Sequence, residues 1–539
     1  MERTLVIPRG MWEGLRPSLF PRDGNEGFIA GLARPCPSWN GIRYVLEKVL
    51  PMARDGLEYS LPAGVGLSRE ESSRINVISA KSARYGLVPV HLHSHPAGIP
   101  DFSGYDDQKE EELHSWLKEE GQPLLLSLVC SREGSPRARL WMNGQQEACS
   151  VRIGLQTFFP VSTPLIQLQA LDRQRAFGQA FTTAVSRLQV GIVGVGGVGM
   201  PVAEQLARSG FCNFVLMDPD KVEAVNLNRL YGLSARDIGR YKVDVAAASI
   251  RRACRSAGTK ARIRAFKADI NTASTRQNHI LRRCDLLLAL TDDELSRITC
   301  LNLALDGGLE YLQAGVLISQ EKGTGRIESI KTEVTGAEVG RYCPLCCGRL
   351  DPGQASIEAR RYVGGEVWER ALSEGYIPEE PAPSVMSLNA IAAGALVLEI
   401  QKRVAGLGMA DLMQQDWLTG KTLHVRNAER HLTAGECVIC GRQAAGHVRP
   451  LGDRWKHGGP SGHGEIGQRE NTSLDGSFFE AGENGKALTV FIVRACFFRA
   501  RGMFCVCGLR GMRPGGCPFR CLSFSPDCPF AFFRLDVVE

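Results

Sequence analysis

The chain has 539 residues, 44% of them hydrophobic and 23% charged, a balance that can bury cores in more than one domain. Its net charge of +6 is small for that length and argues against nucleic acid as the main partner. No apolar run reaches the ~18–20 residues of a membrane span, and MERTLVIPRGMWEGLRP lacks the apolar core of a secretory signal, so a cytoplasmic protein without a membrane partner is expected. Residues 1–155 mix short apolar strands with turns. TFFPVSTPLIQL then leads into a second region, 165–450, where apolar runs alternate with helical patterns as in β–α–β units. LQVGIVGVGG, NFVLMD and CDLLLALT read as buried parallel strands there. SLNAIAAGALVLEIQKRV, from Ser387, reads as a small-residue helix packed on that sheet. Residues 451–539 turn Gly-rich, then rich in Phe, Cys and Arg without periodicity, as a disordered or non-native tail would. The expected class is α/β, in two domains followed by that tail.

The first chemical signal is HLHSHPAGIPDFSGYDD. His93 and His95 are two residues apart and so share one side of a strand. Two imidazoles and the Asp106 carboxylate make a three-ligand zinc site with a fourth position open, the catalytic kind. Zinc there would polarise a carbonyl and activate water for amide hydrolysis, with Ser103 stabilising the oxyanion. A general base is also needed, and Glu26, opening the apolar run in NEGFIAGLA, is the candidate. His91 reads as a non-ligand. A distant Glu, then H-[ST]-H, seven residues, S, two residues and D resembles the JAMM/MPN metalloprotease family over residues 20–150. The resemblance implies a zinc-dependent peptidase or isopeptidase.

The second signal is GIVGVGGVGMPVAEQLARSGFCNFVLMDPD. Gly194, Gly196, Gly197 and Gly199 join a strand to a helix, allowing a tight turn and close approach of backbone N–H groups to phosphate. Asp218 follows the next strand, where a carboxylate would meet ribose hydroxyls. The pattern says nucleotide, and DPDKVEAVNLNRLYG, GRYK and LTDDELSR argue against a dinucleotide. They resemble the adenylating domain of the MoeB/ThiF and ubiquitin-activating enzyme superfamily. Asp218 and Asp220 match its D-x-D, Asn226, Asn228 and Arg229 its N-L-x-R, and Lys242 its lysine. Arg173, in LDRQRAFG, matches an arginine often supplied by a neighbouring subunit, and Asp292 the carboxylate that holds magnesium. The resemblance implies ATP and Mg²⁺, a Rossmann-like fold and a homodimer. Arg173, Arg229, Lys242 and Mg²⁺ would neutralise the approach of a carboxylate to the α-phosphate.

The 18 cysteines divide unevenly. Cys343 and Cys346, with Cys437 and Cys440, form two CxxC pairs suited to a closed structural zinc site, which MoeB-like proteins also carry. Many relatives place a transfer cysteine after the first pair, yet none stands between Cys347 and Cys437. The expected function is therefore bifunctional. The peptidase would cleave at the C-terminus of a ubiquitin-like or sulfur-carrier protein, and the second domain would adenylate the exposed glycine; bacterial fusions of this kind look similar. Activation for thiocarboxylate sulfur transfer is one alternative, and a non-catalytic scaffold that binds a ubiquitin-like partner is another. A conjugating enzyme or a sulfurtransferase would be the further partner.

Overall fold

The computed structural model describes residues 2–440, apart from 51, 53–55, 97, 322, 338–342, 365–367, 371–382, 409–411, 426–436 and 438. The tail expected at 451–539 lies outside the described residues, as do its six cysteines. The described residues fall in one compact unit, 1–458.

The first sheet contains β1 (Glu2–Ile7), β2 (Phe28–Pro37) and β3 (Gly41–Leu50). A separate hairpin, β4 (Leu57–Leu61) and β5 (Gly64–Leu67), intervenes before β6 (Val88–Ser94), β7 (Leu124–Cys130), β8 (Arg137–Met142), β9 (Gln145–Ile153) and β10 (Gln156–Phe158). The order is β1-β3-β2-β6-β7-β8-β9-β10, and β9 also pairs with β1, so the sheet curls until its ends meet. Helix α1 (Arg9–Leu19) covers one face through Met11, Leu15 and Leu19. Helices α2 (Arg69–Ser82) and α3 (Gly104–Glu119) also belong to this region. Strand β6 lies centrally, between antiparallel β2 and parallel β7. Its side chains alternate: Val88, Val90 and Leu92 enter the core against α1, which turns His91 and His93 to the opposite face.

The second sheet begins after α4 (Phe181–Arg187). Strand β11 (Gln189–Val193), helix α5 (Gly199–Arg208), strand β12 (Asn213–Met217), helix α6 (Lys242–Ser256) and strand β13 (Arg262–Phe266) follow. Helix α7 (Thr275–Leu281), strand β14 (Leu286–Ala289), helix α8 (Glu294–Gly307) and strand β15 (Glu310–Gln320) continue the alternation. Strand β16 (Ile327–Ala337), helix α9 (Pro352–Val363), helix α10 (Met386–Val404), β17 (Leu412–Asp416) and β18 (Thr422–Val425) complete the described elements. The order is β13-β12-β11-β14-β15-β16-β17-β18, parallel through β15 and antiparallel beyond. The three strands expected from continuous apolar runs are β11, β12 and β14, every residue of which is buried. The helix expected from Ser387 is α10; its Ala392, Ala393 and Leu396 join α5, α6 and the sheet in one core. The antiparallel extension carries no such signal in the sequence. Its strands mix buried, half-buried and exposed residues because only part of their surface is covered.

Beyond the connection at 157–168, the two sheets meet at a seam with a buried ion cluster. Asp285, just before β14, pairs with Arg43 of β3 and, at 2.6 Å, with Arg152 of β9. Its other oxygen accepts from the Gln189 N–H at 2.7 Å. All three charged side chains are buried. Burial opposes the Asp285 charge, yet Arg152 and Arg43 hold its carboxyl below the usual carboxylate range. Among the described residues no helix is long and apolar enough to cross a membrane.

Candidate functional sites

The first site lies at the end of β6. His93 occupies β6 and His95 follows it, while Asp106 stands in the first turn of α3. One ligand atom from each lies within 4.8 Å of the others. His93 Nε2 is 3.4 Å from Asp106 Oδ1, and His95 Nε2 is 3.9 Å from Asp106 Oδ2. His93 Nε2 is buried without a properly formed hydrogen bond. Ligands at about 2.0–2.1 Å from a tetrahedral zinc stand roughly 3.4 Å apart, so the donor set fits that ion. His95 Nδ1 lies 3.3 Å from the Ile99 carbonyl oxygen. A proton on Nδ1 directed there leaves the Nε2 lone pair facing the cluster.

Glu26 comes from a segment far away in sequence, and its carboxylate is 3.9 Å from His95 Nε2. Three local devices put it there. Ser94 Oγ accepts the Gly27 N–H at 3.0 Å and donates to the Leu19 carbonyl at the end of α1. A Cβ at Gly27 would come within 2.0 Å of the Ser18 carbonyl oxygen, so only glycine permits this approach. The β4–β5 hairpin supplies the third, since the Glu26 N–H donates to Leu61 at 2.9 Å. Burial raises the Glu26 carboxyl to about 7, against the lowering pull of His93 and with a smaller rise from Asp106. A carboxylate poised there suits proton transfer.

One expectation gains a second aspect. Ser103 is the N-cap of α3: its Oγ accepts from the Asp106 N–H and donates to Asp106 Oδ2 at 2.7 Å. The hydroxyl expected to face an oxyanion thus also bonds the Asp106 carboxylate, through a capping box. Burial opposes the Asp106 charge, but His93 and Ser103 hold its carboxyl well below the ordinary range. His91, as expected, is not in the cluster. It packs edge-on against Phe28 at 5.1 Å, and burial pushes it down to about 4.

A residue missed by sequence reading supports this site from below. Arg139 stacks over Phe102 at 3.8 Å and pairs with Glu110 at 2.8 Å and with Asp107 of the first turn of α3. Phe102 in turn meets the His93 ring edge-on at 6.1 Å. A buried arginine on β8, remote from the motif, had no local signal to reveal it.

The second site lies where the parallel sheet reverses its strand order, between β11 and β14. Gly194 has φ +87°, and a Cβ there would strike the Leu290 carbonyl and Thr291 N–H. A Cβ at Gly199 would come within 2.1 Å of the Gly194 carbonyl oxygen, so α5 can start directly over the strand end. At Gly196 nothing lies within 4 Å, which leaves the backbone open to a ligand. Gly197 faces Asn389 of α10, whose side chain donates to the Ser384 hydroxyl at 3.0 Å and the Arg229 carbonyl at 3.4 Å. Asn389 was also missed; it stands just before the apolar run 390–398 of that helix, with no motif around it.

Asp218 follows β12, and its two oxygens accept from the Val195 N–H at 2.7 Å and the Asp220 N–H at 2.9 Å. It thus ties the glycine loop to the next strand end, a task beyond the ribose contact expected of it. Burial raises its carboxyl above the usual value, against Lys242 and those two N–H groups. Lys242, the first residue of α6, pairs with Asp220 at 2.7 Å. Asn226 caps a short turn by accepting the Glu223 N–H at 3.1 Å, and Arg229 donates to the Val225 carbonyl at 3.0 Å. Asn228 is exposed. Asp292 is exposed in the turn after β14, next to the Thr291 that abuts Gly194. Arg173 is exposed on a short helical turn, and no described contact brings it to the glycine loop.

Cys343, Cys346, Cys437 and Cys440 are buried together, with their sulfurs within 4.8 Å of one another. Cys343 Sγ is 3.7 Å from Cys437 Sγ, and Cys440 Sγ is 3.9 Å from Cys346 Sγ. Tetrahedral zinc with Zn–S of about 2.3 Å requires S···S of about 3.8 Å, so this cluster fits the metal.

Comparison with known proteins bears on the second of these regions. Residues 171–435 match the ThiF family. That interval, just under half of the chain, is thus similar to the ThiF family. Ubiquitin-like modifier-activating enzyme 5 of Xenopus laevis is 26% identical over 278 residues, 49% of this chain and 62% of that protein. Its counterpart from Bombyx mori is 40% identical over 89 residues, 16% of this chain and 22% of its own length. The chain thus spans less than two thirds of these relatives. Among solved structures, E. coli MccB with succinimide is 16% identical, with 51% of this chain and 75% of that one covered and a TM-score of 0.38. The matched interval contains β11 to β18, the glycine loop, Arg173, Lys242, Asp292 and the first CxxC pair.

Proposed function

We propose that the protein is a bifunctional enzyme acting on the C-terminal tail of a ubiquitin-like or sulfur-carrier protein. Its ThiF domain adenylates the terminal glycine carboxylate with ATP, and its N-terminal domain is a JAMM-type zinc peptidase or isopeptidase that cleaves at that glycine. The observation that carries this reading is the presence, in one compact unit, of two different built sites. One joins Glu26, His93, His95 and Asp106; the other joins the glycine loop with Asp218, Lys242 and Asp292.

In the N-terminal site His93, His95 and Asp106 would hold the metal. Zinc bound there supplies Lewis acidity to the scissile carbonyl and lowers the pKa of an attacking water. Glu26 takes the proton of that water and returns it to the departing amine, for which its raised pKa fits. Ser103 keeps Asp106 oriented. In the ThiF domain, the open backbone at Gly196 and the start of α5 receive phosphate, and Asp218 and Asp220 stand at the ribose end. Lys242, Arg229 and Arg173 balance the negative charge as the carboxylate approaches the α-phosphate, with Asp292 as the magnesium ligand. The exposure of Arg173 supports its supply to a second copy in a homodimer. The four-cysteine cluster is a structural zinc site.

The second reading concerns the product. No cysteine lies between Cys347 and Cys437, which favours direct passage of the adenylate to an external sulfur donor or amine over a thioester on this chain. The test is incubation of zinc-loaded protein with ATP and a carrier that extends past Gly-Gly. Tail cleavage and pyrophosphate release are both expected. Adding a sulfide donor then separates a thiocarboxylate from a conjugate by mass.

A further inference from the structure

Neither proposed reaction uses the face formed by the end of α6, β13 and α7. Between Asp244 and Asp269 the sequence holds seven cations, Arg251 through Lys267, and no acidic residue. The small net charge of the whole chain conceals this run. Beside it, a cavity of about 860 Å³ opens between β13 and α7, lined by Arg264, Phe266, Arg276, His279, Ile280 and Arg283 among others, none of them acidic.

Nearby cations are matched with acids: Lys267 pairs with Asp244 at 2.9 Å and Arg282 with Asp306 at 3.3 Å. Arg264, Arg276 and Arg283 make no ion pair among the described residues. Two of these residues are contacted from the first region, Arg264 at its side chain and Arg283 at its backbone. The Arg264 guanidinium lies 5.3 Å from the centre of the Trp39 ring, and the Arg283 carbonyl accepts a hydrogen bond from Arg43. Three arginines without ion-pair partners among the described residues thus line a concave space that also has apolar walls at Phe266 and Ile280. Such a cleft focuses positive potential, and the fork of each guanidinium matches phosphate oxygens. The volume lies in the usual range for a small ligand. An extended strand would instead need cations strung along an open surface.

We propose that the cavity between β13 and α7 is a second anion site, which takes a compact, multiply charged phosphate compound. It is distinct from the glycine loop, none of whose residues lines it. Because Arg43 and Trp39 contact its walls, an occupant also bears on the seam between the sheets.

Calorimetric titration of the full chain with tripolyphosphate, after saturation with a non-hydrolysable ATP analogue, tests this. One further binding event is expected, weakened at least tenfold in Arg276→Gln and Arg283→Gln but not in Arg251→Gln, with melting temperature as the folding control. No such event, displacement of tripolyphosphate by the analogue, or affinity unchanged in both cavity variants would overturn the proposal. Tighter binding of a 12-nucleotide RNA than of tripolyphosphate would also overturn it, since the cations would then serve an extended strand.

Discussion

The two sheets of this protein build their candidate sites by opposite means. The first gathers side chains: Glu26 from before β2, two histidines from the end of β6 and Asp106 from α3 converge on one point. The second clears side chains away: glycines at 194, 196 and 199 remove what would block the turn, the ligand and the helix start. In the first region chemistry depends on which atoms are present; in the second it depends on which are absent. Single substitutions should therefore fail differently in the two regions.

The largest expected effect is at Glu26. Glu26→Gln keeps the shape of the residue but removes proton transfer, and cleavage should fall by roughly 10²–10⁴-fold. ATP–pyrophosphate exchange on a carrier already ending in glycine should be unchanged. Parallel loss of both activities would break the separation between the two sites.

Asp285→Asn probes what joins the regions. It leaves Arg43 and Arg152 buried against a neutral group, which should cost about 3–5 kcal/mol, measured by denaturant unfolding. Because the folded carboxyl titrates below its ordinary value, its stabilisation is fully present above the ordinary carboxylate range. It is lost as pH falls through the lower, folded value. The acid limb of the stability profile should therefore flatten in Asp285→Asn, and a limb identical to wild type would remove Asp285 from the account.

Smaller effects should follow from the two site designs. Gly199→Ala drives a Cβ into the Gly194 carbonyl and should cost about 1–3 kcal/mol. ATP affinity should fall with it while cleavage persists below the melting temperature. Ser103→Ala removes a helix cap and the hydroxyl that orients Asp106. Zinc affinity, read by chelator competition, should drop roughly 10–100-fold. If Ser103 stabilised only an oxyanion, zinc affinity would stay at the wild-type value while cleavage fell.

The sequence was legible where one local pattern carries both fold and chemistry. Strands β11, β12 and β14 are buried on both faces, so each reads as an unbroken apolar run, and the glycines between β11 and α5 sit at fixed spacing. His93, His95 and Asp106 lie within 14 residues and announce themselves together. Partners recruited through the fold left no such trace. Arg139 reaches the His93–His95–Asp106 group only through Phe102 and α3, and Asn389 meets Gly197 only because α10 packs on α5. The seam was invisible for the same reason: Arg43, Arg152 and Asp285 are ordinary charged residues until three distant segments bury them together. Ser103 shows a subtler case, since S-x-x-D is at once part of the metalloprotease-like motif proposed above and a helix cap.

The most direct test measures pyrophosphate release from two carriers, one extended past its terminal Gly-Gly and one already trimmed, by wild-type protein and Glu26→Gln. Wild type should release pyrophosphate with both. Glu26→Gln should do so with the trimmed carrier alone, because adenylation needs the carboxylate that cleavage exposes. Equal release from the extended carrier by Glu26→Gln would contradict the account of two linked activities in one chain.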